Sequence, residues 1–309
     1  VAHAPSPLTD TAEQRYLAAV GWIVLASLAF ACMWALIKYA SQVRGYHPFM
    51  IVVARNFFGL ITCLPLIYAL GPDLLRTDRL SIHVRRATSG LVATFATFYA
   101  ISHAPLATVM SINYAAPLIA TVGAVMFLGE RIRIRRILAL IIGFIGVLIV
   151  LRPGAVPMTP GILAALVSAV ATAFSVVAIK QLTSTDDTRA VTVYSFLLML
   201  VPSALMALPV WQWPRLVDLP MLALVGVLAA IGQISLARSY KLAEVSALLP
   251  FDFVRFGGVI FLGWIFFAEK IDGFTILGGI IIFLATIYMA HRERLAARRI
   301  MPARQPREH

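Results

Sequence analysis

The stretch APLATVMSINYAAPLIATVGAVMFLGERI, residues 104–132, returns 139 positions later as AEVSALLPFDFVRFGGVIFLGWIFFAEKI, residues 243–271, with no gap. Ala104 falls on Ala243, Phe127 on Phe266, Glu130 on Glu269 and Ile132 on Ile271. One glutamate between apolar runs aligns easily by chance, but a glutamate, its basic successor and both flanking runs together do not. Glu130 and Glu269 therefore mark an internal repeat. Each copy holds an apolar run of about twenty residues, the length that crosses ~30 Å of hydrocarbon as a helix.

Outward from this pair, the rest of the chain has the same character. Of its 309 residues 61% are hydrophobic and 13% charged, and the mean hydropathy is +0.89, whereas soluble domains carry roughly 25% charged residues. Apolar runs punctuated by Pro, Gly and charge fall near 17–40, 47–70, 84–104, 105–128, 134–151, 160–181, 190–210, 218–241, 245–268 and 272–291. In lipid each run must satisfy its own backbone, which a helix does. The expected fold is an all-α membrane protein of ten transmembrane helices. Five fall in each half, and because five is odd the second half enters from the face opposite to the first, giving a 5+5 inverted repeat. A polar N-terminal segment (1–16) precedes the first five-helix repeat (17–151). A connecting loop (152–159) leads to the second five-helix repeat (160–291), and a basic cytoplasmic tail (292–309) follows.

Charge orients this frame. The 26 Lys and Arg give a net charge of +12. With the N-terminus cytoplasmic, nineteen fall on the cytoplasmic side. Lys38, Arg44, Arg152, Arg215 and Lys270 fall opposite, and Arg55 and Arg255 fall inside spans. This bias places both termini in the cytoplasm of a multi-pass protein of the bacterial inner membrane. Because the basic residues sit in turns and the tail rather than along one exposed face, the partners expected are a lipid bilayer and a small molecule, and no nucleic acid. The segment before the first run contains Pro5 and Pro7 and lacks a basic n-region, so that run is read as a retained span. Cys32 and Cys63 lie within apolar runs and the six histidines form no ligand cluster, so neither a metal nor another cofactor is expected. There is no G-x-x-x-x-G-K-[ST] loop, which disfavours ATP-driven work by this chain alone.

Inverted halves have two nearly equivalent ways to pack, one open to each side, with a substrate held near the midplane between them; symmetry thus points to alternating access. The stretches VVARNFFGL (52–60), YAAPLIATVGAVMFLGERI (114–132) followed by GFIGVLIV (143–150), and FGGVIFLGWIFFAEKI (256–271) followed by ILGGIIIFLA (276–285) make the chain similar to the EamA-type branch of the drug/metabolite transporter superfamily. The resemblance covers residues 17–291. It implies a ten-helix basket in which helices 3, 4, 8 and 9 surround a central cavity and helices 1, 2, 6 and 7 rearrange around it. The second copy departs from the family pattern at Asp252 and Arg255.

Ionisable groups within the bilayer cost a few kcal/mol each on insertion scales and demand partners or water. Asp252 lies roughly 10 Å into helix 9, and Arg255, three residues on, shares its face. Two readings stand: a self-neutralising pair, or a contact for the polar part of a substrate together with Asn113, which the repeat aligns with Asp252. Pro117 and Pro250 flank these positions, as at the interrupted helices of transporter sites. Arg55 in helix 2 matches the family's helix-2 arginine and either ties neighbouring helices or meets an anion. Lys38 and Lys180 end helices 1 and 6 and are expected to snorkel, while Glu130 and Glu269 are expected to pair with the adjacent Arg131 and Lys270.

Aromatic residues are plentiful in the presumed cavity helices, among them Trp34, Phe95, Phe98, Tyr99, Tyr114, Phe174, Tyr240 and Trp264. For any one of them lipid-facing packing is the default. Phe95, Phe98 and Tyr99, at i, i+3 and i+4, form one face of helix 3 able to stack on a flat substrate. Few charges and many rings suit a zwitterion with an apolar side chain, and the resemblance includes exporters of aromatic and other neutral amino acids, the leading substrate reading. Nucleoside-like metabolites of the S-adenosylmethionine type and amphipathic cationic drugs are the alternatives within transport. A channel or an integral-membrane enzyme is the reading from another class, although no convergent acid/base or metal residues favour an enzyme. A facilitator and a proton-coupled antiporter both fit, as do a monomer and a homodimer. Small residues at Gly143, Gly146, Gly278 and Gly279 permit close helix association.

Overall fold

The computed structural model describes residues 7–70, 77–116, 118–119, 122, 134–152, 157–183, 186–243, 248, 251–270 and 272–300. Among them are ten α-helices: α1 (Pro7–Gln42), α2 (Pro48–Leu70), α3 (Leu80–His103), α4 (Leu106–Asn113), α5 (Ile134–Leu151), α6 (Pro160–Thr183), α7 (Thr188–Ala207), α8 (Leu219–Leu242), α9 (Val254–Phe267) and α10 (Gly273–Ile300). Two short 3₁₀ turns, Leu208–Val210 and Leu216–Asp218, lie between α7 and α8.

Local chemistry sets the joints. Pro105 disfavours helical backbone in the residue before it, and Ala104 is extended at φ −141°, ψ 161°, which ends α3. Ala243, its partner in the repeat alignment, ends α8 with almost the same angles, φ −144° and ψ 162°. Pro48 and Pro160 open α2 and α6, where a missing N–H costs nothing. The Asp187 side chain accepts the Arg189 N–H and caps α7. At the end of α9, Ala268 takes the left-handed conformation at φ 49°. The Glu269 N–H then reaches back to the Gly263 carbonyl at 3.2 Å, which closes the end of the helix.

Two spans differ from expectation. The fourth, expected over 105–128, is helical over Leu106–Asn113, turns at Tyr114 and Ala115, and is helical again at Ala116, Leu118, Ile119 and Val122. Pro117 has no N–H to give the Asn113 carbonyl, which removes the next bond of the ladder. The ninth, expected over 245–268, is helical at Leu248, Phe251 and Asp252, turns at Phe253 and runs on as a helix from Val254. In the alignment of the two copies, Tyr114 falls on Phe253, so both helices are interrupted at corresponding positions.

The packing plan is regular: α1 lies on α8 as α6 lies on α3, α2 on α8 as α7 on α3, and α1 on α9 as α6 on α4. α5 packs against α10, α2 against α7 and α4 against α9. Inside are Ile37, Phe98, Ile101, Leu106, Met110 and Phe196. Large apolar side chains such as Val201, Trp264, Phe266 and Leu284 stand more than half exposed, a surface that water would not tolerate over such an extent and that lipid covers. Four helical stretches, Gln14–Gln42, Pro48–Pro65, Arg189–Val210 and Leu216–Leu242, are long and apolar enough to cross a membrane, and four shorter apolar helices accompany them. The protein is a multi-pass membrane protein.

Glycines let the helices approach. Gly146 of α5 and Gly278 of α10 each have the other's carbonyl where a Cβ would stand, so this pair serves packing within the chain. A Cβ on Gly226 of α8 would meet the Phe58 Cβ at 2.5 Å and the Gly59 nitrogen at 2.7 Å. Because backbone cannot yield as a side-chain tip can, Gly226→Ala should cost about 1–3 kcal/mol by overpacking. It should therefore melt several degrees below the wild type in detergent, whereas Gly21→Ala, where nothing stands within 4 Å, should not.

Candidate functional site

At one end of the bundle, three ion pairs join elements distant in sequence. Lys38, near the end of α1, pairs with Glu269 just past α9, and its Nζ also donates to the Ala104 carbonyl at 3.0 Å. Glu269 in turn accepts the Leu106 N–H at 3.0 Å. One carboxylate thus neutralises a buried lysine and caps the first turn of α4, where the helix dipole favours negative charge. The expectations are corrected here: Lys38 is buried, 4% exposed, rather than snorkelling, and Glu269 pairs with Lys38 rather than with Lys270. Arg44 pairs with Asp218, which also accepts from the Tyr46 hydroxyl at 2.8 Å. Arg152 meets Asp272 at 2.5 Å. A cleft of about 170 Å³ opens beside Glu269 and the Arg152–Asp272 pair, lined also by Pro105 and Thr108 among others.

Deeper in the bundle lies the interruption before α9. Arg255 contacts the Asp252 carboxylate at 2.5 Å, and Ser27 of α1 donates to the same oxygen at 2.9 Å. The Tyr114 hydroxyl, at the interruption after α4, donates to the Asp252 backbone carbonyl at 3.1 Å, so the two broken helices meet here. Phe30 and Trp34 of α1, stacked at 6.3 Å, lie 4.7 and 5.7 Å from the Arg255 guanidinium. Tyr114 also packs edge-on to Phe256 and near Phe253. The Asp252 and Arg255 side chains are 14% and 15% exposed. The result is a neutral couple of opposite charges walled by rings, with both an acceptor and a donor end.

The other candidates are dispersed. Asn113 donates to the Val109 carbonyl and accepts from Ser168 of α6 at 3.0 Å, and Ser168 bonds Thr97 of α3; it belongs to an α3–α4–α6 polar knot and makes no hydrogen bond to Asp252. Phe95 and Phe98 are core residues, 6% and 2% exposed, with Phe95 edge-on to Phe49 at 4.5 Å. Tyr99 stacks on His103 at 4.1 Å. Phe174 is 56% exposed, Trp264 is more so, and Tyr240 is partly exposed. Arg55 is buried, donates to the Asn56 side chain at 2.9 Å and lies 5.3 Å from the Phe196 ring. Glu130, Arg131, Pro117, Pro250 and the Lys180 side chain lie outside the described residues. Among the described residues no group of His, Cys, Asp and Glu is placed to hold a metal ion.

Two copies of one family model match the chain, over residues 17–152 and 159–290, and that model is the EamA-like transporter family. The chain belongs to this family. EamA-like relatives include a riboflavin transporter of Vibrio cholerae, 28% identical over 90% of this chain and 94% of its own length. An S-adenosylmethionine uptake transporter of Rickettsia bellii is 26% identical over 93% and 98%. The pseudopaline exporter CntI of Pseudomonas aeruginosa is 30% identical over 88% and 95%. A solved crystal structure at 21% identity superposes with a TM-score of 0.61, covering 94% of this chain and 99% of that one, which speaks for the fold. This EamA-like protein is a small-molecule transporter.

Sequence reasoning passed over Lys38–Glu269, whose partners stand 231 positions apart, and over Arg86, counted with the cytoplasmic residues although it is 9% exposed. Neighbouring Arg85 is exposed; no local signal separates the two. Breaking a buried pair costs about 3–5 kcal/mol because one charge is left unpaired. Lys38→Met should therefore lower the melting temperature strongly, and adding Glu269→Gln should restore part of the loss. Strictly additive losses in that double-mutant cycle would show that the pair does not act as a unit.

Proposed function

We propose that this protein carries, across the bacterial inner membrane, a small metabolite that combines a flat ring with a zwitterionic, amino-acid-like end. The observation that carries the reading is the Asp252–Arg255 couple at the meeting of two interrupted helices. An ammonium exchanges onto Asp252 and a carboxylate onto Arg255, while the ring lies against Phe30, Trp34 and Tyr114. Each charge is already matched in the empty protein, so a zwitterion can replace the internal contact without leaving a buried charge alone. Aromatic amino acids and S-adenosylmethionine share this description. Riboflavin shares the ring but not the zwitterion.

The cycle proposed is alternating access of two inverted five-helix halves with both termini cytoplasmic. Support comes from the two family-model matches, from a packing plan that recurs on adding five to each helix number, and from interruptions at aligned positions of α4 and α9. Export of aromatic or neutral amino acids is one form of the reading and movement of S-adenosylmethionine-like molecules the other; the named relatives include both uptake and export proteins. Each buried carboxylate among the described residues has a cationic or hydrogen-bonding partner, and the facilitator reading needs no titration of any of them.

Counterflow in proteoliposomes tests this. Preloaded tryptophan or S-adenosylmethionine should accelerate uptake of the labelled compound saturably, with or without a proton gradient. Asp252→Ala and Arg255→Ala should each reduce that counterflow about tenfold or more, the loss of one charge-assisted contact. Counterflow of riboflavin alone, or zwitterion transport unchanged in both variants at matched protein amounts, would overturn the assignment.

A further inference from the structure

Between α7 and α8 the chain reads LPVWQWPRLVD, residues 208–218, and it joins two stretches long and apolar enough to cross the membrane, Arg189–Val210 and Leu216–Leu242. The connection therefore lies at one membrane face, the face that carries the Arg44–Asp218 pair. Its side chains are unlike those of a loop in water. Trp213 and Leu216 are each 84% exposed and Val217 is 75% exposed, Leu208 is exposed as well, and Trp211 stands edge-on to Trp213 at 5.6 Å. Of the two charged residues, Asp218 is buried and turned onto Arg44 and Tyr46. Arg215 is exposed, and among the described residues no carboxylate forms an ion pair with it.

The segment is a ledge held from beneath. The Tyr46 hydroxyl, in the turn between α1 and α2, accepts the Arg215 N–H at 3.0 Å and donates to Asp218 at 2.8 Å. The Gln212 N–H meets the Met50 sulfur of α2 at 3.2 Å. Within the segment, the Trp211 N–H reaches the Leu208 carbonyl at 3.3 Å and the Asp218 N–H the Arg215 carbonyl at 2.9 Å, while Pro209 and Pro214 have no N–H to satisfy. The polar groups thus point into the protein or along the ledge, and the apolar ones point away from it.

Two constraints place this ledge. Irregular backbone is not tolerated where it faces hydrocarbon, which keeps the segment out of the bilayer core. Leu208, Trp211, Trp213, Leu216 and Val217, all exposed within eleven residues, make an apolar patch that water disfavours. The headgroup zone satisfies both, and it is where tryptophan, with an apolar ring and one N–H, is enriched. The lipid-covered surface of the two flanking spans runs into the ledge from either side, so its neighbour is the same bilayer. We propose that residues 208–218 form a lipid-binding ledge seated at the headgroup level, with Trp213, Leu216 and Val217 among the first acyl carbons and Arg215 at a lipid phosphate. The unpaired positive charge of Arg215 selects an anionic phospholipid such as phosphatidylglycerol. Through Tyr46 and Asp218 the seated ledge also fixes the turn between α1 and α2.

The test reads the fluorescence of Trp213 in the full chain reconstituted into vesicles, with Trp22, Trp34, Trp211 and Trp264 replaced by Phe. Phospholipid brominated at the acyl carbons nearest the headgroup should quench it more strongly than phospholipid brominated near the chain ends, and aqueous iodide should quench it less than it quenches free tryptophan. Brominated phosphatidylglycerol should outdo brominated phosphatidylcholine, and Arg215→Gln should lower that preference about fivefold, the worth of one basic residue beside an anionic surface. If the multiply substituted chain fails to fold, the wild type is compared with Trp213→Phe, in which quenching by the shallow-brominated lipid should fall. Iodide quenching equal to that of free tryptophan, with no effect of brominated lipid, would put the ledge in water and overturn the proposal. Quenching by neither agent, with lipid quenching appearing only as the protein is diluted in the membrane, would assign the ledge to a second copy of the chain and overturn it equally. An equal response to the two headgroups in the unsubstituted Arg215 background would overturn the anionic preference.

Discussion

A charge inside a bundle of apolar helices has to be matched where it stands, because lipid offers it nothing. Much of the architecture follows from how that constraint is met. Glu269 is the clearest case: it neutralises Lys38 and caps α4 in a single place, joining α1, α4 and α9. The left-handed turn at Ala268 aims it. In sequence the first copy carries Gly129 at the aligned position, a residue type that adopts such backbone freely, whereas Ala268 holds its left-handed turn at a cost of roughly 1–2 kcal/mol.

The interrupted helices follow the same logic in a different currency. A broken helix frees backbone groups, and these are tolerable at membrane depth only where something polar meets them. The Tyr114 hydroxyl on the Asp252 carbonyl is one such meeting. Breaks in α4 and α9, a neutral ion couple between them and rings on α1 together make a place where polar chemistry is affordable inside an apolar protein. That is the physical requirement for carrying a polar molecule through it.

How legible was this in the sequence? α5 spans the expected 134–151, and α2 and α6 begin within a residue of expectation, because Pro and charge punctuate them sharply. The turns that interrupt the fourth and ninth spans at Tyr114 and Phe253 are not in the hydropathy, which reports what a segment is dissolved in and not whether its ladder is continuous. The Asp252–Arg255 contact follows from a spacing of three. Lys38–Glu269 does not follow from any spacing. The i, i+3, i+4 pattern puts Phe95, Phe98 and Tyr99 on one face, yet Phe95 and Phe98 pack into the core and Tyr99 onto His103, because periodicity names a face without naming what it meets. Arg85 and Arg86 carry the same charge and differ only in the side of α3 on which they stand.

The long reach of the Lys38–Glu269 pair also bears on how the molecule comes into being. Contacts between residues far apart in the chain form late, since the intervening segment must first be placed. A ribosome delivers α1 long before α9, so Lys38 enters the membrane while its counter-charge has yet to be synthesised. Until then the first turn of α4 is uncapped as well. Completing that corner is therefore among the last acts of assembly, and a chain released short of residue 269 would lack both α10 and the group that holds α1 and α4 in register.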